Sequence, residues 1–177
     1  MAVMKRHPRL RLTMAHFGFT SDNIAQARAF LDEYEFTRLD TTPGGEQYFN
    51  MLHDKEVWIP FLKSHADRIK YGTDTYNYSP KPEPEQRAEA LPRPLLVSRF
   101  LETTGEYQYY GDTYRGIGLD TALLRKIYAE NALAEYGTPK AIDRAWVMRE
   151  TERLRPLVAE NRAMQADLCS IEQLFAL

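Results

Sequence analysis

Tyrosine and arginine side chains that could bind a ligand are concentrated in one part of the chain. Seven of the eleven tyrosines lie between Tyr71 and Tyr114. Tyrosine combines a flat apolar ring with a hydroxyl group and loses little conformational entropy on contact, and the arginine guanidinium binds phosphates and stacks on rings. The ligand-binding residues predicted from this pattern are Arg99, Tyr107, Tyr109, Tyr110, Tyr114 and Arg115.

A predicted β-hairpin would position these residues. Residues 95–101 form its first strand and residues 106–111 its second, with a tight turn between them. Because alternate side chains of a strand point to opposite faces, Tyr107 and Tyr109 share one face, and Arg99 can stand across from a tyrosine ring. Two interpretations follow: the tyrosines bind a ligand by stacking, or they cover the hydrophobic core.

Residue types that carry catalytic or metal chemistry are scattered along the chain. One group of metal-ligand types is close in sequence: His53, Asp54, Glu56, His65 and Asp67. Its spacing matches no zinc signature and no cysteine pair accompanies it, so it predicts solvated loop residues. His16 stands alone without an assignable partner, and Ser98 lacks the glycine elbow of an exposed nucleophile. We therefore predict no catalytic residue, no metal and no cofactor.

Charge is nearly balanced over the chain but unevenly distributed. The 177 residues include 23 basic and 25 acidic residues, which gives a net charge of −2. Lys5, Arg6, Arg9 and Arg11 form a short basic arm, whereas a dedicated duplex-DNA binder carries a broad positive face. A nucleic-acid ligand would therefore be recognised by base stacking and arginine contacts rather than by bulk charge.

Composition indicates a globular, cytoplasmic protein. Hydrophobic residues make up 44% of the chain, which is the share of an ordinary globular domain. No apolar run approaches the roughly 18 residues that span a bilayer, so no membrane partner is expected. Cys169 is the single cysteine, which rules out an intrachain disulfide and fits a reducing compartment.

The helix and strand signals predict an α+β fold. Residues 20–34 begin with capping side chains and read as one N-terminal helix. Residues 46–62 alternate in hydrophobicity around a central turn and read as a hairpin, and residues 95–111 read as a second hairpin. The predicted fold is thus a central antiparallel sheet of about four strands in two hairpins, with one N-terminal helix and a helical C-terminal third.

Three segments divide the predicted chain. Residues 1–12 form the basic N-terminal arm, residues 13–137 form the α+β domain, and residues 138–177 form C-terminal helices that pack on it or make an oligomer interface. Within the domain, residues 73–94 contain five prolines among acidic residues. This composition predicts an exposed, extended loop.

Two features define the helical C-terminal part. Asp120 is a good N-cap for a helix that Gly137 ends. Farther on, apolar residues recur at the a and d positions of a heptad around one polar residue. This stripe consists of Leu154, Leu157, Asn161, Met164, Leu168, Ile171 and Phe175. It needs an apolar partner surface, either the chain's own core or the same helix of a second copy, so a homodimer is possible.

Three functions are compatible with these patterns. The leading hypothesis is a non-catalytic recognition or adaptor protein whose tyrosine and arginine hairpin binds nucleic acid or a protein partner. The alternative is a small hydrolase or transferase that acts on a nucleotide-like substrate through Arg99, Tyr109, Asp112 and Arg115. The third is an oligomeric assembly protein held together by its C-terminal helices. The sequence does not decide whether the protein is an enzyme.

Overall fold

The computed structural model of the protein describes residues 2–44, 46–76, 81–109 and 111–175. The chain divides into two compact units, Met1–Gly137 and Thr138–Leu177. Gly137 ends the last helix of the first unit with a φ of 77°, a left-handed conformation that glycine adopts without strain. Among the described residues, no helix has the length and apolar character that crossing a bilayer requires.

The first unit alternates helices and short strands. In chain order these are α1 (Ala2–Arg6), β1 (Leu12–Met14), α2 (Ile24–Glu33), β2 (Thr37–Asp40), α3 (Gln47–His53), α4 (Lys55–Ser64), β3 (Ile69–Lys70), α5 (Glu83–Ala90), α6 (Pro92–Glu102), β4 (Glu106–Tyr109), β5 (Asp112–Arg115), α7 (Thr121–Arg125) and α8 (Asn131–Tyr136). A π-helical turn, Lys126–Glu130, joins α7 to α8. Strands β1, β2 and β3 form one sheet, and β4 and β5 form a separate hairpin.

The three-stranded sheet is parallel throughout, in the order β1-β2-β3. Parallel neighbours cannot be joined by a tight turn, so α2 connects β1 to β2, and α3 and α4 connect β2 to β3. Leu39 and Ile69 are neighbours in the register and are fully buried on one face of the sheet. Because side chains alternate, Asp40 and Lys70 belong to the other face. The parallel arrangement brings the carboxyl ends of all three strands to one edge.

Aromatic side chains fill the core beside this sheet. Phe17, Trp58 and Phe61 are almost completely buried and pack edge to face, with ring centroids between 5.4 and 6.1 Å apart. Edge-to-face pairs of this kind add to the stabilisation that burial of the rings provides. Phe17 lies three residues after the end of β1, so this cluster anchors the segment that leaves the first strand.

The first predicted hairpin is wrong, because residues 46–62 contain α3 and most of α4. The alternating apolar residues of this segment resemble a strand. Trp58, Phe61 and Leu62 nevertheless also have the three- and four-residue spacing of one helix face, and these are the side chains that α4 buries. Pro60 lies inside α4, where it removes one backbone donor without ending the helix.

The second predicted hairpin is wrong in its first strand. Residues 95–101 belong to α6, whose buried side chains are Leu96, Val97, Phe100 and Leu101. Their spacing places them on one face of a helix, and Arg99 is therefore a helical residue. Strand β4 forms where the second strand was predicted, but it pairs with β5 instead. The predicted central sheet of four antiparallel strands is replaced by the parallel sheet and this two-stranded hairpin.

Helices also occupy much of the segment 73–94, where an extended loop was predicted. Helix α5 begins after Pro82, and α6 begins at Pro92. The first backbone N–H groups of a helix have no acceptor within it, so proline at the first turn sacrifices no hydrogen bond. The prolines of this segment therefore begin helices rather than prevent them. Residues 77–80 lie outside the described residues.

The helix predicted to follow Asp120 is present and contains the π-helical turn. The Asp120 carboxylate accepts a hydrogen bond from the backbone N–H of Leu123 at 3.0 Å, as an N-cap does. The wider turn frees the carbonyl group of Ile127, which accepts the N–H of Tyr71 at 2.8 Å. This bond ties the helix to the segment that follows β3.

The second unit consists of α9 (Arg144–Leu154), a 3-10 turn (Arg155–Val158) and α10 (Arg162–Phe175). Helices α9 and α10 pack against each other. Leu168 is buried, whereas Leu157 and Met164 are exposed. Because the 3-10 turn interrupts the helix, the predicted heptad stripe is divided among α9, the 3-10 turn and α10 and does not form one continuous face.

Candidate active site at the carboxyl ends of the parallel strands

Polar side chains follow each of the three parallel strands at the same edge of the sheet. His16 follows β1, Asp40 is the last residue of β2, and Asp74 lies four residues after the end of β3. In open α/β sheets and in α/β barrels, ligands bind outside the carboxyl ends of the strands, where the connecting loops begin. This edge is therefore the first place to examine for a functional site.

Backbone strain is confined to the same edge. Among the described residues, the non-glycine residues with positive φ are His16, Phe17, Phe19 and Asp74, at 52°, 55°, 54° and 51°. A left-handed conformation costs an L-residue roughly 1–2 kcal/mol, because its Cβ approaches the following carbonyl oxygen. Such strain persists only where surrounding structure enforces it, and it is typical of functional sites.

Hydrogen bonds of the Asp40 carboxylate join the end of β1 to the loop after β2. Its Oδ1 atom accepts the backbone N–H of His16 at 3.0 Å and the backbone N–H of Thr42 at 3.0 Å. Hydrogen bonds to an ionised acceptor are stronger than those between neutral groups. Asp40 therefore fixes the point at which His16 leaves the sheet.

The loop after β2 is joined in turn to the end of β3. The backbone N–H of Gly72 donates to Thr41 Oγ1 at 3.0 Å, and the Thr41 hydroxyl donates to the Gly72 carbonyl at 3.2 Å. Only glycine fits at position 72, since an added Cβ would lie 2.2 Å from Thr42 Oγ1. The Tyr48 hydroxyl donates to the Thr41 carbonyl, which brings the start of α3 to the same edge.

Enclosed polar atoms without a hydrogen-bond partner concentrate in this region. Six such side-chain atoms occur among the described residues, and four of them belong to His16, Gln47 and Tyr107. They are His16 Nδ1, both amide atoms of Gln47, and the Tyr107 hydroxyl. Buried polar groups are normally paired, so unpaired ones indicate a ligand, a water molecule or a catalytic role.

Gln47 reaches the site from α3, whereas Tyr107 lies near Tyr48, which contacts the loop after β2. Gln47 is the first residue of α3, is only 2% exposed, and donates its backbone N–H to the Gly44 carbonyl at 3.3 Å. Gly44 lies beside the His16 ring, since a Cβ added to it would be 3.9 Å from His16 Nδ1. Tyr107 lies on β4 and is close enough to Tyr48 to contribute to the raised pKa of that hydroxyl, for which burial is the main cause.

Burial also raises the pKa of the Tyr107 hydroxyl above its usual range, and neighbouring Tyr114 acts in the same direction. The opposing effect of the Arg99 guanidinium is smaller. Tyr107 is therefore a neutral hydrogen-bond donor under ordinary conditions. A neutral donor that lacks a protein acceptor is suited to an oxygen atom that gains negative charge during a reaction.

Asp74 is held by a cation from the segment that follows it. Its Oδ2 atom lies 3.4 Å from Arg93 Nη1, and its carbonyl oxygen accepts a hydrogen bond from the same guanidinium. The Arg93 guanidinium also lies over the ring of Tyr76, 4.8 Å from the centroid. These contacts with Arg93 fix the position of Asp74 beyond the end of β3.

The residues predicted to bind a ligand are only partly brought together. Arg99 and Tyr107 line an open surface depression of about 500 Å³ with Thr103, Gly105, Glu106 and Gln108. Tyr114 is buried, and Tyr109 is half-buried with its ring edge to face against it at 6.0 Å. Arg115 is exposed and donates to the Thr104 carbonyl, and Tyr110 lies outside the described residues.

Sequence reasoning missed His16, Asp40, Gln47 and Asp74 as site residues. Each belongs to, or follows, a connection that begins at the end of a parallel strand, and the strands have only two to four residues. A signal existed in the repeated order of a short segment with one buried apolar residue, a polar residue and a helix. Reading it requires the strands to be recognised as parallel.

The described residues do not by themselves form a metal site. Among them, no three His, Cys, Asp or Glu side chains are grouped so that they could hold a metal ion. We therefore assign no metal ligands among the described residues.

Comparison with known proteins identifies a family for most of the first unit. Residues 2–138 match the model of a family described as amidohydrolase. No curated protein and no solved structure matches the chain. The family match suggests a TIM-barrel-like family, and the order β1-α2-β2-α3-α4-β3 agrees with the alternation of strand and helix in such folds.

This match overturns the leading functional hypothesis. Membership of a hydrolase family contradicts a non-catalytic adaptor and a protein that binds nucleic acid by base stacking. The hydrolase alternative agrees better with the family match. The overturned hypothesis gave the leading role to a tyrosine and arginine hairpin because tyrosines cluster in the sequence, whereas most of the cluster packs against the core. With residues 2–138 of its 177 residues matched, the chain belongs to the amidohydrolase family.

Proposed function

We propose that the protein is a hydrolase that cleaves an amide-type C–N bond of a small molecule at the carboxyl edge of the parallel sheet. One observation carries the proposal: His16 combines a strained backbone with an enclosed, unpaired Nδ1 atom at this edge. Neither feature stabilises the fold, so both are expected only where a function maintains them. Membership of the amidohydrolase family supports the reaction class.

His16 is suited to act as the general base. Its unpaired nitrogen accepts a proton from a water molecule while the water oxygen forms a bond to the carbonyl carbon of the substrate. The C–N bond then breaks, and the protonated imidazole returns the proton to the leaving nitrogen. General acid–base catalysis of this kind accelerates reactions by roughly 10²- to 10⁴-fold.

Tyr107 and Gln47 are suited to support the negative charge that develops on the carbonyl oxygen. Both carry N–H or O–H donors that are enclosed and lack a protein acceptor. Donors that are already oriented in a water-poor site stabilise such charge without reorganisation. The Asp74 carboxylate, which Arg93 holds in place, is the remaining proposed catalytic group. Its oxygen atoms can orient the water molecule or a donor of the substrate.

Replacement of His16 tests the proposal. We expect His16→Asn to lower kcat/KM by at least about 100-fold toward any p-nitroanilide or p-nitrophenyl ester that the wild type hydrolyses, because the proton acceptor is lost. His53→Asn is the matched control, since His53 is an exposed histidine at the end of α3. Release of nitroaniline or nitrophenol gives the rate. Equal rates for His16→Asn and wild type would contradict the assignment.

We further propose a reducing, cytoplasmic compartment for this activity. Cys169 is the single cysteine of the chain, and it is exposed as a free thiol. An exposed free thiol is stable where the surroundings keep it reduced.

A further inference from the structure

The turn that carries His16 has an unusual backbone. His16, Phe17, Gly18 and Phe19 have φ angles of 52°, 55°, 62° and 54°, so four consecutive residues lie in the left-handed region. Only Gly18 adopts this conformation without strain. Isolated left-handed residues are common in turns, but a run of them requires forces from outside the turn.

The first of these forces comes from the core. The Phe17 ring is fully buried, 5.8 Å from the Trp58 ring and 6.1 Å from the Phe61 ring. The Thr20 hydroxyl, which is also buried, donates to the Phe17 carbonyl at 2.7 Å. These contacts fix the middle and the end of the turn, but none of them reaches its first residue.

The second force acts on that first residue. The backbone N–H of His16 donates to Asp40 Oδ1 at 3.0 Å, and the same oxygen accepts the N–H of Thr42. Asp40 is held in β2 by the register with β3, in which it is paired with Lys70. Its carboxylate is therefore a fixed acceptor that determines where the left-handed turn begins.

We propose that Asp40 is a positioning residue for His16: through this backbone hydrogen bond it holds the strained turn and so sets the direction of the imidazole. This inference rests on the proposed function of His16 and extends it to a residue that acts without touching the substrate. A general base accelerates the reaction most when it is held in the correct orientation, and a small misplacement of the group lowers the rate strongly.

The bond, rather than the charge alone, is the feature to test. Asp40→Asn keeps a side-chain carbonyl oxygen in the same place, whereas Asp40→Ala removes the acceptor. With a p-nitroanilide or p-nitrophenyl ester that the wild type hydrolyses, we expect Asp40→Ala to lower kcat by roughly 10- to 100-fold with little change in KM. Asp40→Asn should retain a kcat within about 3-fold of the wild type.

Asp120→Ala is the matched control. The Asp120 carboxylate also accepts one backbone N–H at 3.0 Å, from Leu123, but it does so at the start of α7. This variant loses the same kind of hydrogen bond outside the candidate site. It should lower stability without lowering kcat, which separates a positioning role from general destabilisation.

A spectroscopic measurement makes the test independent of turnover. The chain has four histidines, and the imidazole signals of His16 can be assigned by their absence from His16→Asn. We expect one sharp set of His16 ring signals in the wild type and in Asp40→Asn, and broadened or multiple signals in Asp40→Ala. This result supports the positioning role even if His16 is not the general base.

Two outcomes would overturn the inference. One is a folded Asp40→Ala variant with unchanged His16 ring signals and unchanged kcat, which would make Asp40 a structural residue only. The other is a folded Asp40→Asn variant whose kcat falls by roughly 10-fold or more relative to the wild type, which would show that the charge matters and the bond does not. The second outcome can be measured even if Asp40→Ala does not fold.

Discussion

Gln47 shows most clearly how a residue of the candidate site differs from a residue of the core. Phe17 is buried among aromatic rings and contributes to stability, whereas Gln47 is equally buried but neither atom of its amide finds a partner. Burying an unpaired polar group costs roughly 1–3 kcal/mol, so Gln47 opposes folding at this position. A buried side chain that lowers the stability of the fold is expected to serve the reaction.

We predict that Gln47→Met has opposite effects on stability and on activity. Methionine has a similar length and no polar group, so the free energy of unfolding should rise by about 1 kcal/mol. The kcat/KM should fall by about 10-fold or more, because the amide donor is lost. Urea unfolding and ester or anilide hydrolysis measure the two effects.

Gln26→Met is the control for this prediction, since Gln26 is exposed on α2 and its backbone N–H, not its side chain, bonds to Asn23. Gln26→Met should change neither the free energy of unfolding nor kcat/KM appreciably. A Gln47→Met variant that is less stable and fully active would show that the amide is paired and structural.

At the residue scale, the sequence prediction and the candidate site have Tyr107 in common. Tyr107 was among the predicted ligand-binding residues, because its residue type and its neighbours carry a local signal. His16 and Gln47 carry no such local signal, since each is an isolated polar residue in its own segment. They become neighbours through the parallel order of the strands and the position of the loop after β2, which are properties of the whole sheet.

At the element scale, local chemistry predicted helix ends better than it predicted element types. Asp120 caps a helix and Gly137 ends one, because capping depends on one side chain or one φ angle. Helices α4 and α6 were read as strands, because a short apolar run can satisfy the two-residue and the helical spacing together. Only packing against the aromatic core selects the helix for these segments.

The contact between β3 and α8 depends on a buried ion pair. Lys70 is 4% exposed, and its ammonium group lies 2.6 Å from Glu135 Oε2. The same group donates to Thr13 Oγ1 and to the Tyr136 hydroxyl, both at 2.9 Å. Three acceptors around one ammonium group satisfy its donors, so the charge is buried with full compensation.

We predict that Glu135→Ala lowers the free energy of unfolding by about 3 kcal/mol, because it leaves the Lys70 ammonium group buried without its counter-charge. The double variant Lys70→Met/Glu135→Met removes both charges and should be less destabilised than Glu135→Ala. Urea unfolding of the three proteins gives the comparison. If the single and double variants are equally destabilised, the ion pair is not what joins the strand to the helix.

At the scale of the whole molecule, the family match and the division into units end at nearly the same place. The match covers residues 2–138, and the first unit ends at Gly137. The candidate active site lies within the first unit. Helices α9 and α10 of the second unit therefore lie entirely outside the matched segment, and their contribution to function must be sought in a different property.

Large apolar side chains are exposed on the second unit, as they are at several positions of the first. Leu157 is 70% exposed and Met164 is 48% exposed, and Ile142, Trp146 and Leu174 are exposed as well. Large apolar side chains that remain accessible in a small helical unit favour association. Leu157 and Met164 are two of the heptad positions, and the use of these helices as an oligomer interface stays a prediction beside their packing on the chain's own domain.

We predict that the protein is a homodimer through α9 and α10 and that Met164→Glu converts it to a folded monomer. Met164 is exposed on α10, so a charge there should disrupt association without disturbing the packing of the unit. Leu168→Glu is the contrasting variant, because Leu168 is buried and its replacement should unfold the helices. Sedimentation velocity at about 50 µM, where an affinity of about 1 µM keeps most chains paired, together with circular dichroism, distinguishes the species. A wild type that sediments as a monomer would leave these apolar side chains without the proposed partner and contradict the prediction.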